Sequence, residues 1–346
     1  MAFSSLPACT IRAICSSVPA RCFDNSKETT AFDPKEVDKV VKMAGVRTRH
    51  IAGDSICSSD LCIAAAKRVL ERLEWKPESV DALIFVTQSP DYLLPSTSCL
   101  AHRDLGLSDQ CAAYDVGLGC SGYPYALWQA SMMLSSGGLK RVLVLHGETP
   151  SRFSDNSDRA VALLFGDAGS ATALEFDPIA SARAPWSFGL HTDGTRWRDL
   201  IIEGGGFRDR TPEDPRKLRV AMNGANVFNF TIKRVPSSVE EILQRSATPP
   251  DTVDYFVLHQ SNLFIMKHLA KKMQIPDAKL PLTIQRFGST GGPSVPLTIT
   301  QGNLTRPGNR ALRLLLVGYG VGLSWATALV DLPADAILDH VEVGNN

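Results

Sequence analysis

Val80-Asp81-Ala82-Leu83-Ile84-Phe85-Val86-Thr87-Gln88-Ser89 returns, one residue shorter, as Val253-Asp254-Tyr255-Phe256-Val257-Leu258-His259-Gln260-Ser261. Each copy contains a continuous apolar run of strand length, which reads as a strand buried on both faces. Each follows a helical stretch and a proline turn, Lys76-Pro77 in one and Pro249-Pro250 in the other. A second echo pairs Ala171-Thr172-Ala173-Leu174 with Ala326-Thr327-Ala328-Leu329, after the apolar strands 141–145 and 312–317. Two echoes in the same order, at offsets of about 155 to 173 residues, indicate internal duplication rather than chance.

Working outward, apolar strands alternate with amphipathic helices, expected over 60–73, 123–134, 237–244 and 295–299. That alternation predicts an α/β fold in two pseudo-symmetric halves, residues 1–178 and 179–346, joined near 175–181. Ligands are expected where strand ends meet. The stretch 184–218, dense in Gly, Pro, Arg and Asp, reads as an excursion between strands that serves binding or dimer packing.

An apolar fraction of 44% with 21% charged residues is that of a globular protein with a full core, which excludes disorder. Acidic and basic residues balance, so no basic field directs the chain to nucleic acid or an anionic membrane. The N-terminal stretch lacks a basic n-region and reads as a first strand over 10–16 rather than a leader. No apolar run is long enough to span a bilayer. The eight cysteines fall between Cys9 and Cys120 without a CxxC pair, which disfavours a zinc site and a disulfide framework and predicts a cytoplasmic location.

One of those cysteines stands apart. In Tyr114-Asp115-Val116-Gly117-Leu118-Gly119-Cys120-Ser121-Gly122 a short apolar run breaks into small residues around a single sulfur, just before a helix. A strand that turns sharply into a helix leaves its corner residue beside unpaired N–H groups and the positive end of the dipole. A thiol there is expected to have a lowered pKa and to act as nucleophile. A small buried cysteine of no chemical consequence is the competing reading, and the segment alone does not separate the two.

A nucleophile needs a partner that moves protons or stabilises charge. His259 ends the repeated apolar run, so it projects from a strand terminus; His146 and the other five histidines lack such a setting. A strand-end histidine taken alone is more often structural, and its place in the copy opposite Cys120 is what raises it. Two further glycine-dense turns follow, 287–296 around Ser289 and 317–322 around Val321. The first is either ordinary turn chemistry or a means of presenting Ser289; the second leaves backbone N–H groups free to hold an oxyanion. Neither matches a dinucleotide fingerprint or a P-loop.

Gly45-Val46-Arg47-Thr48-Arg49-His50-Ile51, the cysteine turn, Leu164-Phe165-Gly166-Asp167-Ala168-Gly169, His259-Gln260-Ser261-Asn262 and Gly320-Val321-Gly322-Leu323-Ser324-Trp325 together closely resemble the β-ketoacyl-acyl-carrier-protein synthase III family of thiolase-like condensing enzymes. The resemblance runs from Ile11 to Leu332 and implies the thiolase-like duplicated five-layer αβαβα fold. It implies that Cys120 takes an acyl group from a thioester, with the backbone N–H groups of Cys120 and Val321 holding the oxyanion. His259, with Ser289, would stabilise the enolate formed as a malonyl carrier loses CO₂. It implies no metal or organic cofactor, acyl-CoA or acyl carrier protein as donor, a malonyl carrier protein as second substrate, and a homodimer.

Departures from the family pattern sharpen these expectations. Ser289 stands where relatives carry asparagine, and losing one such donor costs about 10²–10³ in rate, so condensation is the step most exposed to the change. Lys39 and Met43 replace the residues that clamp the adenine of coenzyme A, leaving Arg159. The resemblance places Leu94 at the acyl-pocket gate, Gly224, Phe228 and Asn262 among the substrate contacts, and Lys267, Lys271 and Lys272 on the face that docks the carrier. A solvated lysine face is the ordinary alternative there, and Phe264 stands where an arginine is common. The leading expectation is a condensing acyltransferase. Acyl transfer from Cys120 to oxygen or nitrogen without decarboxylation, and a non-catalytic partner subunit, are the alternatives.

Overall fold

The computed structural model describes residues 2–181, 184–306 and 308–344, without the side chains of residues 159, 160, 180 and 181. Two sheets lie at its centre. One orders its six strands as Ile337–Val343, Thr10–Pro19, Gly169–Glu175, Arg141–His146, Ala82–Val86 and Ala112–Val116. The other orders five as Ala2–Leu6, Trp186–Thr192, Ser324–Leu332, Leu312–Gly320 and Tyr255–Leu258.

Both sequence echoes occupy equivalent places. Ala82–Val86 pairs in parallel with Arg141–His146, and Tyr255–Leu258 in parallel with Leu312–Gly320. Asp81 and Asp254, the second residue of each copy, do the same work. Asp81 accepts the N–H groups of Lys140 and Arg141 at 2.6 and 2.9 Å, and Asp254 that of Arg313 at 2.7 Å. Each carboxylate thereby starts the neighbouring strand in register. The Ala-Thr-Ala-Leu segments lie in the antiparallel strands beyond, facing Arg141–His146 and Leu312–Gly320.

Helices Gly122–Ser135 and Ser294–Gln301 pack between the sheets, which is why both are largely buried. Tyr123, Leu127 and Leu134 of the first and Val295 and Ile299 of the second join the inward faces of both sheets in one core. Ser58–Leu73 and Thr97–Leu105 cover the outside of the six-stranded sheet, and Gly224–Arg245 and Leu263–Lys272 that of the five-stranded one. Two separate outer cores and one central core make the αβαβα layering, as the duplication and the resemblance imply.

Two expectations need correction. The stretch 184–218 is not wholly an excursion: Trp186–Thr192 is an interior strand, with Trp186 and Phe188 fully buried. Its position between two partners is set by non-local pairing that local composition does not carry. The remainder forms a small hairpin, Leu200–Ile201 against Ala221–Met222. The first sheet strand of the chain is also earlier than 10–16: Ala2–Leu6 precedes it, and lies on the edge of the opposite sheet. The last strand, Ile337–Val343, crosses the other way and pairs with Thr10–Pro19. Among the described residues no helix is long and apolar enough to cross a membrane.

Candidate active site

Strand Ala112–Val116 ends in the turn that carries Cys120, and helix Gly122–Ser135 starts two residues later. The turn is seated against the second glycine cluster. A side chain on Gly318 would lie 2.5 Å from the Cys120 carbonyl oxygen, and one on Gly320 would lie 2.9 Å from Cys120 Sγ. Only glycine allows this approach. The hydroxyls of Ser121 and Ser324, 2.6 Å apart, tie the two segments together, and Ser324 also donates to the Val321 carbonyl.

The structure reverses one expectation about the thiol. Burial, followed by the nearby Glu148, pushes Cys120 up to about 12, while the N–H groups of Val321 and Cys120 itself pull the other way. Desolvation outweighs the favourable helix terminus. Both N–H groups nonetheless act on the sulfur.

His259 follows strand Tyr255–Leu258, its N–H donating to the Val317 carbonyl at 2.8 Å. Its ring is 4% exposed and packs edge-on against Tyr319 at 5.4 Å between centroids. Nδ1 lies 2.8 Å from the Ser294 hydroxyl, which also accepts the Gln260 N–H. Burial lowers His259 to about 4, partly offset by the Gly291 carbonyl, so the ring is neutral at pH 7. Cys120 and His259 therefore both adjoin the segments Tyr319-Gly320 and the turn at Gly291. Ser289 starts that turn, 2% exposed, its backbone bridged to Phe165 and its hydroxyl free of protein partners among the described residues.

Cys120 opens on a cavity of about 280 Å³ lined also by Gln88, Gly119, Glu148, Gly291 and Val321. Its remaining wall is apolar: Pro150, Phe153, Phe165, Val220 and Leu200 to Ile202. The small hairpin thus supplies much of this surface, which the sequence offered no periodic signal to find. Other expected contacts lie elsewhere. Leu94 is 84% exposed on a surface loop, and Gly224 opens its helix in solvent. Phe228 stacks on Phe264 and meets His268 at a tilt, and Asn262 caps helix Leu263–Lys272 by accepting the Ile265 N–H. Lys267 and Lys271 are exposed on that helix, and Lys272 donates to the Ile232 carbonyl. The Arg159 side chain lies outside the described residues.

Two groups went unnoticed in the sequence, Ser294 and Glu148, and a third, His146, was set aside. Ser294 orients His259. Glu148, 2% exposed, accepts the Gln88 N–H at 2.8 Å and the Ser89 hydroxyl at 2.9 Å; burial pushes it up to about 8. His146 is fully buried beneath the cysteine turn, neither ring nitrogen finds a hydrogen-bond partner among the described residues, and burial followed by His259 lowers it to about 3. No cluster of three or more His, Cys, Asp or Glu able to hold a metal occurs among the described residues.

Comparison with known proteins agrees with this geometry. The family model described as 3-oxoacyl-[acyl-carrier-protein] synthase III matches residues 114–194, and the model of its C-terminal part matches residues 243–332. The β-ketoacyl-[acyl-carrier-protein] synthase III of Methylococcus capsulatus is 33% identical over 294 residues, 84% of this chain and 89% of its own. The crystal structure of a 3-oxoacyl-(acyl-carrier protein) synthase from Burkholderia xenovorans superposes with a TM-score of 0.94 at 38% identity, over 99% of both chains. That of a priming β-ketosynthase from the R1128 polyketide pathway gives 0.85 at 25% identity, over 96% of this chain and 98% of its own. Fold and relatives alike define a condensing enzyme of the thiolase-like class, an acyltransferase. Within that class the chain belongs to the 3-oxoacyl-[acyl-carrier-protein] synthase III family.

Proposed function

We propose that the chain joins an acyl group to a malonyl-derived unit in two half-reactions at the Cys120 cavity. In the first, Cys120 Sγ attacks the carbonyl of an acyl-CoA or acyl carrier thioester, and the N–H groups of Cys120 and Val321 hold the oxyanion. In the second, a malonyl carrier protein loses CO₂, and neutral His259 with Ser289 donates hydrogen bonds to the enolate oxygen. The enolate carbon then bonds the acyl carbon, the carbon–sulfur bond to Cys120 breaks, the sulfur takes up a proton from solvent to regain its thiol, and a β-ketoacyl thioester leaves.

The observation that carries this reading is the convergence of Cys120 and His259, one from each half, on Tyr319-Gly320 and Gly291 beside an apolar cavity. Neutral imidazole suits the second half-reaction, because it donates a hydrogen bond without a charged ring buried in the protein. Family membership favours condensation over transfer to oxygen or nitrogen, and the pairing of both side chains speaks against a non-catalytic partner role.

The same reading assigns Leu94, Arg159, Gly224, Phe228 and Asn262 to substrate contacts, and Lys267, Lys271 and Lys272 to carrier docking. It takes residues 1–178 and 179–346 as the two halves, a homodimer as the assembly and the cytoplasm as the location. The test is intact-mass analysis after exposure to a panel of acyl-CoAs and acyl carriers, followed by malonyl carrier. An acyl adduct on Cys120 and a β-keto product are expected; an adduct that yields no β-keto product would defeat condensation and leave acyl transfer to another nucleophile.

A further inference from the structure

Acyl loading has a proton to place. Cys120 starts as a thiol, because burial holds it up to about 12, and the departing carrier sulfur must leave as a thiol. His259, lowered to about 4, is a poor proton acceptor at neutral pH, and its neutral ring holds its remaining N–H too tightly to give it up. A group that can do both has a pKa near the working pH.

Glu148 lines the Cys120 cavity and is fixed there from several sides. Oε1 takes the Gln88 N–H and Oε2 the Ser89 hydroxyl, while Ser89 Oγ also accepts the Thr149 N–H at 3.0 Å. Its backbone is bridged in both directions to Ala168. A side chain on Gly291 would lie 3.2 Å from Glu148 Cγ, so the carboxyl packs against the turn that also faces His259. This buried carboxyl has no cationic partner in its hydrogen bonds, and nothing in the condensation half-reaction uses it. Burying such a group without function costs stability.

We propose that Glu148 is the proton relay of acyl loading. Resting on the two half-reactions above, the step balances as follows. Sγ bonds the acyl carbon as its proton passes to the Glu148 carboxylate; the acyl carbon–carrier sulfur bond then breaks, and Glu148 returns the proton to that sulfur. Moving the proton from Cys120 to Glu148 exchanges one anion for the other, so the cavity gains no charge. The relay and His259 divide the work, one serving each half-reaction.

The titratable groups facing Glu148 are Cys120 across the cavity, Cys62 on the helix beneath, Asp167 behind, and His146 two residues upstream. Cys120 is raised to about 12, burial likewise pushes Cys62 well up, and His146 is lowered to about 3. Asp167, though raised by burial, is held by the Ala52 N–H and by the N–H and hydroxyl of Ser151. Burial raises Glu148 itself to about 8.

Quenched-flow intact-mass measurement of acyl-CoA loading, from pH 6 to pH 9.5, tests the relay on wild type, E148Q and E148D. The wild-type loading rate is expected to rise through about pH 8 as the carboxylate forms. E148Q should load about 10²-fold more slowly and without that rise, and E148D should keep a rise at a shifted pH. E148Q that loads at the wild-type rate, or slowly with the rise intact, would overturn the relay and leave Glu148 a brace for Gln88 and Ser89. Should E148Q not fold, an E148D profile superimposable on wild type overturns it equally. Wild type that acquires no acyl group from any donor would sink the parent reading and the relay together.

Discussion

The two copies of the repeated strand end in Thr87-Gln88-Ser89 and His259-Gln260-Ser261, and the contrast between these ends separates the chemistry of the halves. In the first copy the backbone of Gln88 and the hydroxyl of Ser89 cradle a carboxyl contributed by the next strand but one in sequence. In the second the strand end itself bears the imidazole. There Gln260 turns inward to accept the Thr283 and Ile284 N–H groups, and Ser261 meets the Tyr319 hydroxyl at 3.0 Å. One scaffold thus holds a carboxyl that burial keeps protonated and an imidazole that burial keeps neutral. The repeated strand ends are equivalent in the two sheets, and the pKa of each group follows from desolvation rather than from a charged neighbour.

Four measurements would break or sharpen that contrast. The largest effect is expected for H259A, which should lower β-keto product at least about 10³-fold while Cys120 still acylates, read by product formation and intact mass. Loading lost with product would erase the division between the halves. Next, E148Q should be more stable than wild type at alkaline pH, measured by urea unfolding. Glu148 is raised from 4.5 to about 8, so the folded chain keeps a proton that the unfolded chain releases. Wild-type stability therefore falls as pH rises from about 4.5 to 8, by on the order of 4 kcal/mol at full titration. Equal stability of the two proteins at pH 9 would show that Glu148 is not held protonated.

Third, S289A should slow condensation about 10²-fold and spare loading, in single-turnover reactions from acylated enzyme; an unchanged rate would leave His259 as sole donor from that side. The smallest effect concerns His146, lowered from 6.5 to about 3. Its neutral form is favoured by folding, so the contribution is present above about pH 6.5 and is lost as pH falls towards 3, at roughly 1 kcal/mol per pH unit. H146M, apolar and of similar volume, should unfold at a lower pH than wild type in an acid titration followed by circular dichroism. An unchanged midpoint would place the acid sensitivity in His259 or elsewhere.

Much of this frame was legible in the sequence because the repeated runs are buried on both faces and so read as unbroken apolar strands. Cys120 and His259 were legible for a related reason: each interrupts such a pattern at a strand end. Trp186–Thr192 was hidden because a polar, glycine-rich neighbourhood outweighs one short strand whose place is fixed by partners far along the chain. The lowered pKa expected for Cys120 failed because a helix terminus is visible in sequence and desolvation is not. Glu148 looks like an ordinary residue after a strand and His146 like the last residue of one, and only the packing of Gly291 and Gly292 against them reveals where they lie.

The terminal strands carry a consequence of their own. Ala2–Leu6 is stitched to the sheet of the far half and Ile337–Val343 to that of the near half, with Ile14 aligned beside Leu338. A cut at the joint between the halves would leave each fragment missing an edge and holding one that belongs to the other. Such clasped ends make Ala2–Leu6 and Ile337–Val343 prerequisites for completing the two sheets, which predicts slow, all-or-none maturation and ties the readiness of Cys120 to the docking of Ile337–Val343.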